Sequence, residues 1–245
     1  VDALTIAAAS GLRSRMESLD LLANNLANSA TSGFKRDQES YNLYASNLAD
    51  DTVEGSQGFT LPVIERQWTD FSQGSLQVTG NPTDVAISGS GFLAVTGPSG
   101  PLYTRGGSLQ LLPSGQLATS EGYPLRDPNG AAIQVAAGKP FEISTGGQVT
   151  QDGQTVGQIG LVGFGSTDAL QKVGADCFRN TDTNNLASPA SDAQLQQGKL
   201  EASNVPVAES AMRLVGVMRQ FEMLQKAVGL STEMDSKSIQ EVARV

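Results

Sequence analysis

Histidine is absent from the 245-residue chain, and cysteine and tryptophan occur once each. Without histidine there is no imidazole general base and no His-ligated metal site. A single cysteine excludes an internal disulfide and a thiolate cluster. Charge is also scarce: 17% of residues are charged, and 25 acidic against 16 basic side chains leave a net of −9. A chain so poor in Lys and Arg lacks the basic face that phosphate neutralisation needs, which excludes nucleic acid as a partner. No apolar run approaches the roughly 18 residues of a membrane span, so the chain is read as not membrane-spanning. What remains is 39% apolar residues and 27 glycines, enough for a packed core in one large or two small domains.

The charge is unevenly placed. Residues 1–36 carry a net of +1 and residues 199–245 a net of 0, so 37–198 hold a net of −10. The balanced ends both read as amphipathic helix. From Ala3 to Ala27, Ala9, Leu12, Met16, Leu19, Ala23 and Leu26 recur at spacings of 3 and 4, which places them on one helical seam that Leu22 widens. Asn24, Asn25 and Asn28 suit a fraying end, and Gly33 suits a stop at φ > 0. From Val207 to Ala243, Leu214, Val217, Phe221, Leu224 and Val228 form a second stripe. Asn204 ahead of Pro206 is its expected start. Gly216 and Gly229 inside it mark either a weak helix or a close approach to a neighbouring backbone.

Between the helices Gly, Thr, Ser and Gln become dense and short β-like runs appear. Val85–Ile87 and Phe92–Val95 bracket Ser88–Gly91. Leu109–Leu112 and Gln116–Thr119 bracket Pro113–Gly115. Phe141–Ile143 and Gln148–Thr150 bracket Thr145–Gly147. Asp152-Gly153 is a hairpin signal, and Ile159–Phe164 is one more apolar strand. Turns at this spacing argue for an antiparallel β domain. In residues 36–70, Tyr41, Tyr44 and Leu48 read as a short helix and Asp50–Gly58 as a polar loop; 180–197 reads as a long surface loop or an extended return. The expected class is α+β: long N- and C-terminal helices packed as a coiled-coil-like pair, with a central antiparallel all-β domain. The expected domains are 1–35 with 204–245 (helical, for assembly), 36–70 (linker, partly helical) and 71–203 (central β domain).

Chemical motifs are few. Without histidine there is no Ser-His-Asp triad, and the chain is read as offering no Ser-x-x-Lys pair. No phosphate-binding G-x-x-x-x-G-K-[ST] loop occurs. Gly157, Gly160, Gly163 and Gly165 lie in a β region and open no helix, so they read as tight packing. Asp50, Asp51 and Asp182 imitate a carboxylate pair or a calcium loop but lack the spacing. Cys177 reads as a small buried hydrophobe. No catalytic residue, cofactor or metal is assigned. The asparagines at 24, 25 and 28 are either helix-end polar groups or hydrogen bonds between helices. Arg219 and Glu222 are either a solvated i, i+3 pair or an inter-subunit pair. On these residues alone a self-assembling structural protein, a secreted β-rich carbohydrate-active enzyme and a surface adhesin all stay open.

A resemblance narrows this. Leu22-Ala23-Asn24-Asn25-Leu26-Ala27-Asn28, followed by Thr31-Ser32-Gly33-Phe34-Lys35, resembles the N-terminal signature of bacterial flagellar rod and hook proteins. Gln73-Gly74-Ser75-Leu76, Thr79-Gly80-Asn81-Pro82, Asp84–Ile87 and Gly89–Phe92 resemble that family's central block. Tyr103-Thr104-Arg105-Gly106 and Gly122–Leu125 follow, then Gly198–Val205 and Arg219-Gln220-Phe221-Glu222 near the end. The blocks run in order over residues 12–228. They are most like the proximal-rod members, with distal-rod members close behind. Thr83 stands where the family usually carries Leu.

The resemblance implies a non-enzymatic, self-assembling tube subunit of the basal-body rod that transmits torque and encloses the export channel. Its implied partners are other copies, other rod or hook subunits and the flagellar export apparatus. Its implied place is the basal body in the periplasm, reached without a cleaved signal peptide; residues 1–9 lack a basic n-region, and Arg13 and Arg15 interrupt an apolar core. The assembly residues expected on this view are Leu12, Met16, Leu19, Asn24, Asn25, Leu26, Asn28, Leu214, Met218, Arg219, Phe221, Glu222 and Leu224. The acidic middle is then expected to face outward.

Overall fold

A computed structural model of the chain describes residues 3–45 and 60–242. Leu48 and the Asp50–Gly58 loop lie outside the described residues. The order begins α1 (Ala3–Ala27), β1 (Asp37–Ala45), β2 (Thr60–Thr69), β3 (Leu76–Val78), β4 (Val85–Ser88), β5 (Phe92–Gly97) and β6 (Gly100–Thr104). It continues with β7 (Leu109–Leu111), β8 (Leu117–Thr119), β9 (Glu142–Ile143), β10 (Gln148–Gln151), β11 (Gln154–Gln158) and β12 (Leu161–Gly163). The last elements are β13 (Leu170–Val173), β14 (Cys177–Asn180), β15 (Ser188–Pro189), β16 (Gln194–Gln197), β17 (Lys199–Glu201) and α2 (Val207–Val242). Two compact units result. One comprises Val1–Ala27, Asp37–Trp68 and Pro206–Val245; the other comprises Asn28–Arg36 and Thr69–Val205.

In the second unit the main sheet has the order β13-β14-β6-β5-β12-β15. Its central strands bury both faces. On β5, Leu93 and Val95 enter a large aliphatic core with Val85, Ile87, Leu102, Leu117, Leu125 and Ile159. Phe92 and Ala94 face the other way, into an aromatic cluster with Tyr103, Leu170 and Phe178. This is the period-2 alternation of a strand covered on both sides. Phe71 caps that cluster, its ring 5.0 Å from Phe178 and 5.5 Å from Phe92. Smaller ladders complete the unit: β7–β8, β9–β10–β11, β4–β16 and β3–β17. The two-residue turn between β10 and β11 is Asp152-Gly153, both at positive φ, with Gln151 opposite Gln154.

Several local expectations are corrected. β4 and β5 are consecutive but do not pair; β4 pairs with β16 and β5 with β6 and β12. Residues 194–197, expected as loop or extended return, form a strand that pairs with β4. The helical reading of Tyr41 and Tyr44 fails, since both lie on β1, in a stretch where Tyr suits a strand better than a helix.

The expected fold class is corrected as well, although the chain is a mixed α and β protein. Among the described residues there are two helices and the chain between them is predominantly β. The helices are not the coiled-coil-like pair expected. Their unit also contains the β1–β2 ladder. The inward face of α1 takes only Leu22 from the expected apolar stripe and is otherwise Gly11, Ser14, Ser18 and Asn25. Ser18 Oγ donates to Glu39 Oε1 at 2.6 Å, and Asn25 Nδ2 donates to the Asp37 carbonyl at 2.8 Å. Those bonds to β1 draw in a small, polar face one residue round from the apolar one. A coiled-coil seam needs large apolar knobs instead.

Candidate functional site

The residues with the most concentrated polar contacts lie where the chain enters and leaves the β unit. Its crossings are Arg36 to Asp37, Trp68 to Thr69, and Val205 to Pro206. Next to them, Phe34-Lys35-Arg36, Asp70-Phe71-Ser72 and Glu201–Asn204 are laced together. Gly33 starts this arrangement. Its φ is +71°, and a Cβ there would collide with the Arg105 and Gly106 backbone. Only glycine meets both demands. The Gly33 N–H donates to the Glu201 carbonyl at 2.8 Å.

At the centre Lys35 and Glu201 are fully buried and Arg105 nearly so. Lys35 Nζ donates to Glu201 Oε1 at 2.5 Å and to the Ser72 carbonyl at 2.8 Å. Arg105 Nη1 donates to Glu201 Oε2 at 3.1 Å, and Nη2 to the Gly89 carbonyl at 2.8 Å. The Gly74 N–H adds a third donor to Glu201 at 2.9 Å. Two cations thus share one carboxylate, a buried net charge of +1. Burial pulls the Lys35 ammonium below its usual pKa, against the opposing pull of Glu201.

A second layer surrounds the triad. Arg36 pairs with Asp70 at 3.0 Å. Burial would raise the Asp70 carboxyl, but the Ser72 amide and hydroxyl and Arg36 together hold it low. Asn204 Oδ1 accepts the Arg36 N–H at 2.8 Å, while its Nδ2 donates to the Asp70 carbonyl at 2.7 Å. Asn204 therefore does not cap α2 as expected; the first helical bond runs from Ser210 N–H to the Pro206 carbonyl. Phe34 is buried under Lys172, whose Nζ lies 4.2 Å from the ring centre.

The sequence reading missed this clasp as a site. The signal was present: in a charge-poor chain, Lys35, Arg105 and Glu201 each sit inside a resemblance block. Ser32 to Lys35 is in fact a Ser-x-x-Lys spacing, which corrects the reading that the chain offers none. Lys35 is committed to Glu201 and Ser72, which makes it a structural cation and not a free base.

The expected assembly residues divide. Asn25 is buried and holds the Asp37 backbone on both sides, with Oδ1 accepting the Asp37 N–H at 2.9 Å. Asn28 Oδ1 accepts from Thr31 Oγ1 at 3.3 Å in the turn after α1. Leu12, Leu19, Leu26, Leu214, Phe221 and Leu224 are half-buried, while Asn24, Arg219 and Glu222 are exposed. Met16 and Met218 are 53% and 48% exposed. Leu224 packs toward Gly11, where an added Cβ would stand 3.6 Å from its Cδ1. A Cβ on Gly216 or Gly229 would meet nothing within 4 Å.

On α2, Ser210, Leu214, Val217, Phe221, Leu224 and Val228 are the buried or half-buried line. On the opposite side, Met212, Met223, Leu230 and Met234 are each more than 60% exposed. Their spacings of 11, 7 and 4 residues are close to whole helical turns, so they form one outward line. The helix is apolar on two faces.

Other chemistry is slight. Glu121, Asp176 and Cys177 each bring one ligand-type atom within 4.8 Å of the others. Burial, then the two carboxylates, pushes the thiol up to about 12. It is thus a protonated donor, 3.6 Å from Asp176 Oδ1, and not a nucleophile. Asp182 closes a local turn by accepting the Asn184 N–H at 2.8 Å. A cleft of 310 Å³ beside Arg105 is walled by Phe71, Phe92 and Phe164, and no carboxylate lines it. Asp50 and Asp51 lie outside the described residues. No described helix is long and apolar enough to cross a membrane.

Comparison with known proteins agrees with the motif blocks. Residues 86–154 match the flagellar hook protein FlgE/F/G D1 domain, and residues 196–241 match the flagellar basal body rod FlgEFG protein C-terminal domain. The chain is 32% identical to the flagellar basal-body rod protein FlgF of Caulobacter vibrioides, over 93% of this chain and 92% of that one. It is 31% identical to FlgG of Bacillus subtilis, covering 73% and 70% of the two chains. It is 32% identical to FlgG of Buchnera aphidicola subsp. Baizongia pistaciae, covering 94% and 96%. The chain belongs to the flagellar basal-body rod protein family.

Proposed function

We propose that the chain is a non-enzymatic structural subunit of the basal-body rod, assembling through α1 and α2 into a tube that carries torque. The observation that carries this reading is the second apolar face of α2. Met212, Met223, Leu230 and Met234 lie opposite the line turned inward, and an exposed apolar stripe of this kind marks an interaction surface. The balanced charge of both ends lets copies crowd without a large like-charge penalty. The interface comprises Met212, Met223, Leu230 and Met234 with Met218, Arg219 and Glu222 on α2, and Met16 and Asn24 on α1; the half-buried Leu12, Leu19, Leu26, Leu214, Phe221 and Leu224 back it from within the subunit. Asn25 and Asn28 support it from within the subunit. Family membership supports a place among other rod and hook subunits in the basal body. Delivery to the periplasm by the export apparatus, without a cleaved signal peptide, follows from the same reading.

The clasp supplies the mechanical step. Load leaving the helices along the chain enters the β unit at crossings whose first residues are tied to one another. The unit is then pulled at one bonded point instead of being peeled strand by strand.

The test replaces Met212 and Leu230 with Asp in a strain lacking the native chain. Rods and swimming are expected to be lost while the melting of the β unit is unchanged. Normal rods in that strain would overturn the reading.

A further inference from the structure

All five methionines of the chain lie on the two helices, at positions 16, 212, 218, 223 and 234, and none lies in the β unit. Every one is 48–71% exposed. The large core of the β unit holds no methionine; its one sulfur is the Cys177 thiol, fully buried and kept protonated. Met212, Met223 and Met234 stand on the outward line of α2, beside Leu230. Methionine is the apolar side chain with a reactive thioether, and its sulfoxide is polar.

We propose that these thioethers are a modification site that gates assembly: peroxide oxidation of the free subunit blocks it, and reduction restores it. The proposal rests on the assembly reading above. In the step, a sulfur lone pair attacks one oxygen of hydrogen peroxide and the O–O bond breaks. The S–O bond forms, and the departing hydroxide takes the remaining proton as water. Sulfur is oxidised by two electrons and the peroxide is reduced by two. The converted line then presents polar S–O groups where another copy would pack apolar side chains. Once copies have packed, the same sulfurs are shielded, so the gate acts only on subunits not yet incorporated. The β unit, lacking methionine, keeps its fold throughout.

The experiment compares the full chain with a variant carrying Met16→Leu, Met212→Leu, Met218→Leu, Met223→Leu and Met234→Leu, each with and without hydrogen peroxide. Mass spectrometry counts added oxygens per peptide, and sedimentation velocity over a concentration series reads self-association. The expected result has three parts. The native chain gains oxygen first at 212, 223 and 234, and its half-association concentration rises at least about tenfold. Methionine sulfoxide reductase reverses that rise. The Leu variant associates alike with and without peroxide. Equal association of oxidised and untreated native chain would overturn the gate and leave the assembly reading standing. Failure of both untreated proteins to associate up to their solubility limit would overturn the assembly reading, and the gate with it.

Discussion

Glu201 is the residue on which the clasp depends. Its carboxylate is shared by Lys35 and Arg105, and it also accepts the Gly74 N–H. Glu201→Ala strands two buried cations and is expected to cost about 3–5 kcal/mol. Lys35→Met leaves the Arg105–Glu201 pair intact and should cost less. Calorimetric melts of both variants check the order, and a larger loss from Lys35→Met would move the hub away from Glu201. Asp176 has the opposite character. Burial raises its carboxyl, and burial, then the Asp176 charge, raises Glu121. A carboxyl whose folded pKa is raised contributes stability below the ordinary carboxylate value, and that contribution is lost as pH climbs through the raised one. Thr104, Glu121 and Cys177 face it. Asp176→Asn should therefore match the native chain near pH 4 and gain on it as pH rises to 8. Melting temperatures across that range measure the difference; a constant gap would remove Asp176 as its source.

At the scale of elements, α1 shows how a face is chosen. The apolar spacing points to Leu12, Met16, Leu19 and Leu26, with Leu22 at the margin of the stripe. The buried face is Gly11, Ser14, Ser18, Leu22 and Asn25, because β1 offers partners to Ser18 and Asn25. Leu22 is 4% exposed and Met16 53%. Leu22→Ala is expected to cost about 2–4 kcal/mol and Met16→Ala under about 0.5 kcal/mol in the monomer. Melts followed by helical circular dichroism check this, and equal losses would refute the assignment of faces. Strands followed a similar rule. The Asp152-Gly153 hairpin was legible because its turn residues specify a local connection. The pairing of β4 with β16 was not, since more than 100 residues separate partners such as Ile87 and Leu195 and no local residue names a distant edge.

For the whole molecule, the two units predict two levels of protection. In a monomer the amides of the β unit should exchange slowly and those of α1 and α2 quickly, because the helices lack the partners of an assembled rod. Hydrogen exchange on a proven monomer checks this, and full protection of both termini would contradict it. Protection of the helices should then rise on assembly.

The sequence by itself determined the family, through ordered motif blocks, and the local turns, through residues with restricted backbone choices. It also confined the acid excess to residues 37–198. Only the tertiary structure decided which face of α1 is buried, and that Lys35, Arg105 and Glu201 meet. The reason is the same in both cases. Periodicity reports what a segment can bury, whereas burial of a polar or charged group depends on a partner supplied from elsewhere in the chain. Lys35 and Glu201 lie 166 residues apart, and folding alone brings them within one hydrogen bond.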